Sequence, residues 1–94
     1  MLKLFKTVDQ KLEDIGFKKV EDNDYSVIYE RWNKIYGYTH VLAICHKNSG
    51  RHIIQSYDKN LFDENKIGNV GVGLTYYETK LILKKMKQKK WNKG

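Results

Sequence analysis

The sequence predicts an α+β domain: an N-terminal helix, an antiparallel β-meander of three to four strands and a C-terminal helix, with both helices on one face of the sheet. Three observations predict it. Apolar residues recur at three- and four-residue steps near the start. Runs of β-branched and aromatic residues, separated by Asn, Asp and Gly, fill the middle. A capping box opens a second helical pattern near the end. Residues 1–94 make one domain, 40% hydrophobic and 31% charged. Seven Tyr, three Phe and two Trp argue against disorder, because disordered chains are poor in such residues.

Leu2, Phe5, Val8, Leu12 and Ile15 carry the first helical stripe. Gly16 should end that helix in the left-handed conformation, with Phe17 folding back onto Leu12. Lys18–Asp22 forms a short strand, and Glu21-Asp22-Asn23-Asp24 is a turn signal. Tyr25–Trp32 is the next strand, and Asn33-Lys34 the next turn. Tyr36–Lys47 and Arg51–Tyr57 then pair through a hairpin with a left-handed Gly50. Hairpins suffice to join antiparallel strands, so no crossover is needed. Asp58–Gly73, with Asn60, Asn65, Asn69, Gly68, Gly71 and Gly73, lacks periodicity and reads as a long surface loop or one hiding a short element. In Thr75-Tyr76-Tyr77-Glu78, Thr75 caps the helix and Glu78 reaches back. Tyr76, Thr79, Leu83 and Met86, with Ile82 beside them, are the expected buried stripe of a helix running to about Lys90.

Cys45 is the one cysteine, so no internal disulfide supports the fold. Lys3, Lys6, Asp9 and Lys11 interrupt the N-terminal apolar residues, unlike a signal peptide. No stretch reaches the roughly 18 apolar residues of a membrane span. The expectation is a cytoplasmic protein with no membrane partner.

The net charge of +7 is unevenly placed. Met1–Gly73 holds 11 Lys/Arg and 10 Asp/Glu, whereas Leu74–Gly94 holds seven Lys and one Glu. The last helix is therefore the candidate contact surface for nucleic acid, through Lys80, Lys84, Lys85, Lys87 and Lys89. Trp91 stacks on a base or packs at the contact edge. Lys80, Lys84 and Lys87 form a row that Gln88 cuts short and that flanks the apolar stripe. Lysines near a helix C-terminus also favour the dipole. Lysine in place of arginine weighs against sequence-specific readout. Four to five phosphates contacted would give a salt slope of about −4.

Three other groups of residues bear on function. His46 and His52 should lie opposite each other on one sheet face, where two imidazoles could share a metal; His40 is too far along its strand to join them. Carboxylate or thiolate ligands at standard spacing are missing, so no metal or cofactor is expected. A metal-dependent enzyme at this hairpin remains as an alternative. Gly68-Asn69-Val70-Gly71-Val72-Gly73 leads into the capped helix but does not fit a phosphate-binding fingerprint. Tyr25, Tyr29, Trp32, Tyr36, Tyr38 and Tyr57 divide between the core and an exposed face suited to a protein partner or to bases. Ser26, Ser49 and Ser56 lack activating neighbours in sequence, and Cys45 lies among apolar residues. The expectation is a non-enzymatic protein.

Two stretches carry a resemblance. One is Tyr38-Thr39-His40 with Lys47-Asn48-Ser49-Gly50 and Ile54-Gln55-Ser56-Tyr57-Asp58. The other is Gly73-Leu74-Thr75-Tyr76-Tyr77-Glu78-Thr79-Lys80 with Lys84-Lys85-Met86-Lys87. From Gly16 onward the chain resembles small uncharacterised proteins of phages and prophages of low-GC Gram-positive bacteria. The resemblance implies a phage accessory product acting in a bacterial cytoplasm, and it implies no catalytic residues. The expected function is a small binding module that contacts nucleic acid through the basic C-terminal helix. The alternative is a module that binds or inhibits a host or defence protein through an exposed sheet face or the 58–73 loop.

Overall fold

The computed structural model describes residues 5–64 and 70–91. Its elements are α1 (Val8–Asp14), β1 (Lys18–Asp22), β2 (Ser26–Asn33), β3 (Tyr38–His46), β4 (His52–Asp58), α2 (Lys59–Asp63) and α3 (Tyr76–Gln88). The strands form an antiparallel sheet in the order β1-β2-β3-β4, so the expected meander has four strands.

Strand pairing sorts side chains onto two faces. Tyr29 lies opposite Leu42, and Leu42 opposite Ser56. Val27, Ile44 and Ile54 form the adjoining row. The helices α1 and α3 cover this face. Val8 and Leu12 from α1, and Leu81, Ile82 and Met86 from α3, join Phe17, Val27, Tyr29, Leu42, Ile44 and Trp91 in one core. Burying each large apolar side chain contributes roughly 1.5–3 kcal/mol. The second face carries Val41 and Ala43, both buried, with α2 at its margin. There Phe62 packs on Tyr57 with ring centroids 5.0 Å apart, and Lys59 Nζ lies 3.5 Å from Glu30.

Both principal helices are closed by the same devices at both ends. Thr7 caps α1 in a capping box with Gln10, and Thr75 caps α3 in one with Glu78. Each box satisfies two backbone donors that the helix leaves unpaired. At the other end of α1, Gly16 has φ +97°. The Gly16 N–H donates to Glu13 C=O and the Phe17 N–H to Leu12 C=O, both at 2.9 Å. That is a Schellman closure, and it delivers Phe17 to the core. After α3, Lys90 takes the left-handed position with φ 60°. The Trp91 N–H donates to Met86 C=O at 2.7 Å, so this closure delivers Trp91 to the core.

Two expectations need correction, and the short element expected as an alternative within Asp58–Gly73 is found. The first helix begins at Val8, not near Leu2: Thr7 is extended at ψ 165°, and Phe5 stands ahead of the cap, 85% exposed. Leu2 lies outside the described residues. Within Asp58–Gly73, Asp58 caps the short helix α2 by accepting from the Leu61 N–H at 3.1 Å. Val70–Val72 then runs beside β4: the Asp58 N–H donates to Val70 C=O at 2.8 Å, and the Val72 N–H to Ser56 C=O at 3.0 Å. Asn65, Gly68 and Asn69 lie outside the described residues. Finally, the buried stripe of α3 is Glu78, Leu81, Ile82, Lys85 and Met86. Tyr76 and Leu83 point outward, 79% and 53% exposed. Two ionised residues sit within the buried stripe because each has a fixed partner of opposite charge, described next.

Candidate nucleic-acid interface

The six candidate residues of α3 and its cap divide into two groups of three. Lys85 is 8% exposed. Its Nζ lies 3.1 Å from one Asp9 oxygen and 3.3 Å from the other. Lys89 Nζ bonds Asp22 at 2.9 Å and Asn23 C=O at 3.2 Å. Lys19 bonds both aspartates at 2.9 Å, and the Tyr29 hydroxyl donates to Asp9 at 2.6 Å. Partial burial pushes the Asp9 carboxyl up. Hydrogen bonds from Tyr29, Lys19 and Lys85 overcome this and hold it at about 2. Asp22 is also held low: burial opposes, and Lys89 and Lys19 prevail. These five charges join α1, β1 and α3, so Lys85 and Lys89 act in the fold. Trp91, expected on the contact surface, is 7% exposed. Its ring stacks on His46 at 5.3 Å, where Met86 and the last turn of α3 hold it.

Lys80, Lys84 and Lys87 are exposed. On the α-helical repeat they share the outward arc with Tyr76, Tyr77, Leu83 and Gln88, a span of about 140°. The row therefore opposes the buried stripe, contrary to the expectation that it flanks it. Lys80 Nζ stands over the Tyr76 ring, 5.4 Å from its centroid. The one carboxylate of α3, Glu78, is turned inward. It receives the Thr75 N–H at 2.9 Å and pairs with Arg31 at 2.8 Å. Burial raises its affinity for a proton, but the Thr75 backbone and Arg31 hold its carboxyl below the ordinary value. The outward arc thus carries three ammonium groups, two phenol rings and no helix carboxylate.

A second polar group surrounds His40, which is 1% exposed. Arg31 Nη2 lies 3.3 Å from its Nδ1, and Ser56 Oγ 2.6 Å from its Nε2. The Arg31 guanidinium covers Phe17 at 4.2 Å and donates to Ile15 C=O at 3.2 Å. A guanidinium only donates, so His40 Nδ1 accepts and Nε2 carries the proton toward Ser56. This tautomer presents no lone pair to the hydroxyl, and the serine has no base in this arrangement. Sequence reading missed the His40–Ser56 contact because sixteen residues separate the pair; the strand register that joins them was the available signal.

His46 and His52 are paired across the hairpin as expected. Their Nδ1 atoms lie 3.1 Å apart, in rings 17° from parallel with centroids 4.5 Å apart. Lone pairs in near-parallel planes do not converge on one point, so in this arrangement the two rings stack. Among the described residues, no three His, Cys, Asp or Glu residues group as a metal site. Of the six aromatics expected on strands, Tyr29 is in the core, while Tyr25, Trp32 and Tyr36 are exposed, Tyr25 and Tyr36 just outside the strands.

The fold and this surface define a small two-layer α+β domain with a basic helix on its outside. No protein-family profile, curated protein or solved structure matches the chain. No helix among the described residues is long and apolar enough to cross a membrane.

Proposed function

We propose that this protein is a non-enzymatic binding module that contacts the nucleic-acid backbone through the outward face of α3, as a phage accessory product in a bacterial cytoplasm. The observation that carries the reading is the sorting of charge on α3. Lys80, Lys84 and Lys87 face solvent, while Glu78 is turned inward onto Arg31. Glu78 is engaged by the Thr75 cap and by Arg31, which leaves the outward arc of the helix wholly basic. Three unpaired ammonium groups on one arc release counterions from a phosphate backbone, the main source of sequence-independent affinity. The His40 tautomer supports a role without nucleophilic chemistry.

With Lys85 and Lys89 held in the fold, three of the five candidate lysines remain for phosphate. The expected slope of log K against log salt is between about −2 and −3, shallower than the full lysine set would give. Binding of labelled oligonucleotides measured from low to moderate salt tests this. A Lys80/Lys84/Lys87→Glu variant should keep the wild-type circular dichroism and lose binding. Salt-independent binding, or full binding by that variant, sinks the reading.

A cleft of about 300 Å³ supports a second reading. It is lined by Gln55, Ser56, Tyr57, Phe62, Val70 and Gly71 on the α2 side. In this reading the module binds or inhibits a host or defence protein through this margin of the sheet. Capture from nuclease-treated bacterial lysate, compared between wild type and Phe62→Ala, tests it; identical recovery by both counts against it.

A further inference from the structure

The outward face of α3 also bears on which form of nucleic acid it fits, an inference that rests on the reading above. We propose that the face takes single-stranded nucleic acid, with Lys80, Lys84 and Lys87 along the phosphates and Tyr76 stacked on a base.

Three features favour a single strand over a duplex. The first is the seating of α3. Leu81, Ile82, Lys85 and Met86 bury one side of the helix against the sheet and α1, leaving an exposed arc of about 140°. A helix that reads a duplex enters the major groove, about 12 Å wide and 8.5 Å deep. With that side buried, α3 offers a groove only its outward arc, and a recognition helix uses such an arc to place base-reading side chains. The second is the chemistry of the face. It holds no guanidinium, and its one amide, Gln88, lies at its edge, so the bidentate contacts that distinguish base pairs are lacking. Lysines neutralise phosphates without reading sequence. The third is the aromatic ring. Tyr76 occupies the first turn and is 79% exposed, with Lys80 Nζ 5.4 Å from the ring centroid. A paired, stacked base in a duplex does not offer its face to a side chain, whereas an unpaired base does. Tyr76 and Lys80 thus place a stacking surface and a positive charge within one nucleotide's reach. Lys84 and Lys87 continue the charge along the axis, with Lys87 about 10 Å beyond Lys80.

The test is fluorescence anisotropy of the full chain with a labelled oligothymidine, a mixed-sequence RNA strand and a mixed-sequence DNA duplex of equal length. Wild type should bind both single strands more tightly than the duplex. Tyr76→Ala should weaken single-strand binding about fivefold or more, the loss of one stacked base, and leave duplex binding within twofold. Tyr76→Phe should restore it, because a phenyl ring stacks as a phenol does. Tyr76 is exposed in the first turn, so thermal melts of these variants should match wild type. Equal or tighter duplex binding, or single-strand binding indifferent to Tyr76→Ala, overturns the single-strand inference and leaves the backbone-binding reading standing. Absence of binding to all three at low salt overturns both.

Discussion

Lys85 reaches Asp9, while Lys80, five residues earlier, reaches only the Tyr76 ring. The two lysines should respond unequally to removal. Lys85→Ala takes one partner from a partly buried ion group and leaves Asp9 with Lys19 and Tyr29. We expect a loss of about 1–3 kcal/mol in urea unfolding, below the cost of orphaning a fully buried charge. Lys80→Ala should stay within about 0.5 kcal/mol, as solvent-facing substitutions do. His40 makes a pH-dependent contribution. Burial first, and Arg31 second, hold its imidazole below its ordinary value of 6.5, against the pull of Glu78. The unfolded chain therefore takes up the proton first as pH falls. The His40 contribution is complete above pH 6.5 and declines as pH drops toward the folded value. His40→Gln should flatten the stability profile just below pH 6.5; an unchanged slope would count against this assignment.

Helix ends are where sequence and structure agree best. The Thr75–Glu78 box, the Gly16 stop and the return of Phe17 onto Leu12 were all legible, because each depends on residues within a few positions of one another. The meander was legible for the same reason, including His46 facing His52. Two features of the helices were not. Thr7 and Gln10 form a capping box, but the apolar spacing of Leu2 and Phe5 suggested that the helix ran through them. On α3, Tyr76 and Leu83 looked like core, whereas Glu78 and Lys85 looked like surface. Both ionised residues are buried by partners on α1 and β2, Asp9 and Arg31, far away in sequence, so polarity alone assigned the wrong face. The basic surface was half legible for the same reason: charge could be counted, but pairing could not. The α3 closure yields a prediction of its own. Lys90 sits at φ 60°, a conformation that costs a side-chain-bearing residue roughly 1 kcal/mol relative to glycine. Lys90→Gly should raise stability by about 0.5–1 kcal/mol in denaturant melts. Gly16→Ala should lower it by more than about 1 kcal/mol, since φ is +97° and the new Cβ would stand 3.1 Å from Arg31 Cδ.

Across the molecule, three carboxylates hold α3 to its neighbours: Asp9 on α1, Asp22 on β1, and Glu78 on α3 paired with Arg31 of β2. All three are held below their ordinary values, 3.8 for Asp and 4.5 for Glu. Depressed carboxylates contribute stability that is complete above the unfolded values and is lost as pH falls through the folded ones. The sheet hairpins do not depend on these charges, but the seating of α3 does. Acid titration from pH 5 to 2 should therefore loosen α3 first. Amide exchange in Leu81–Met86 should accelerate before exchange in β2 and β3, and Asp9→Asn should blunt the effect. Simultaneous loss of protection in helix and sheet would contradict it.

The closure that returns Trp91 to the core also gives the molecule two indoles in opposite surroundings. Trp32 is 60% exposed, whereas Trp91 lies against His46. A Trp32→Phe variant leaves one emitter, shielded from water while α3 is docked. Its emission maximum then reports the seating of the basic helix directly: blue when the helix is down, red when it lifts. Oligonucleotide bound on the outer arc should leave that colour unchanged, so ligand occupancy and helix undocking can be followed separately in the same cuvette.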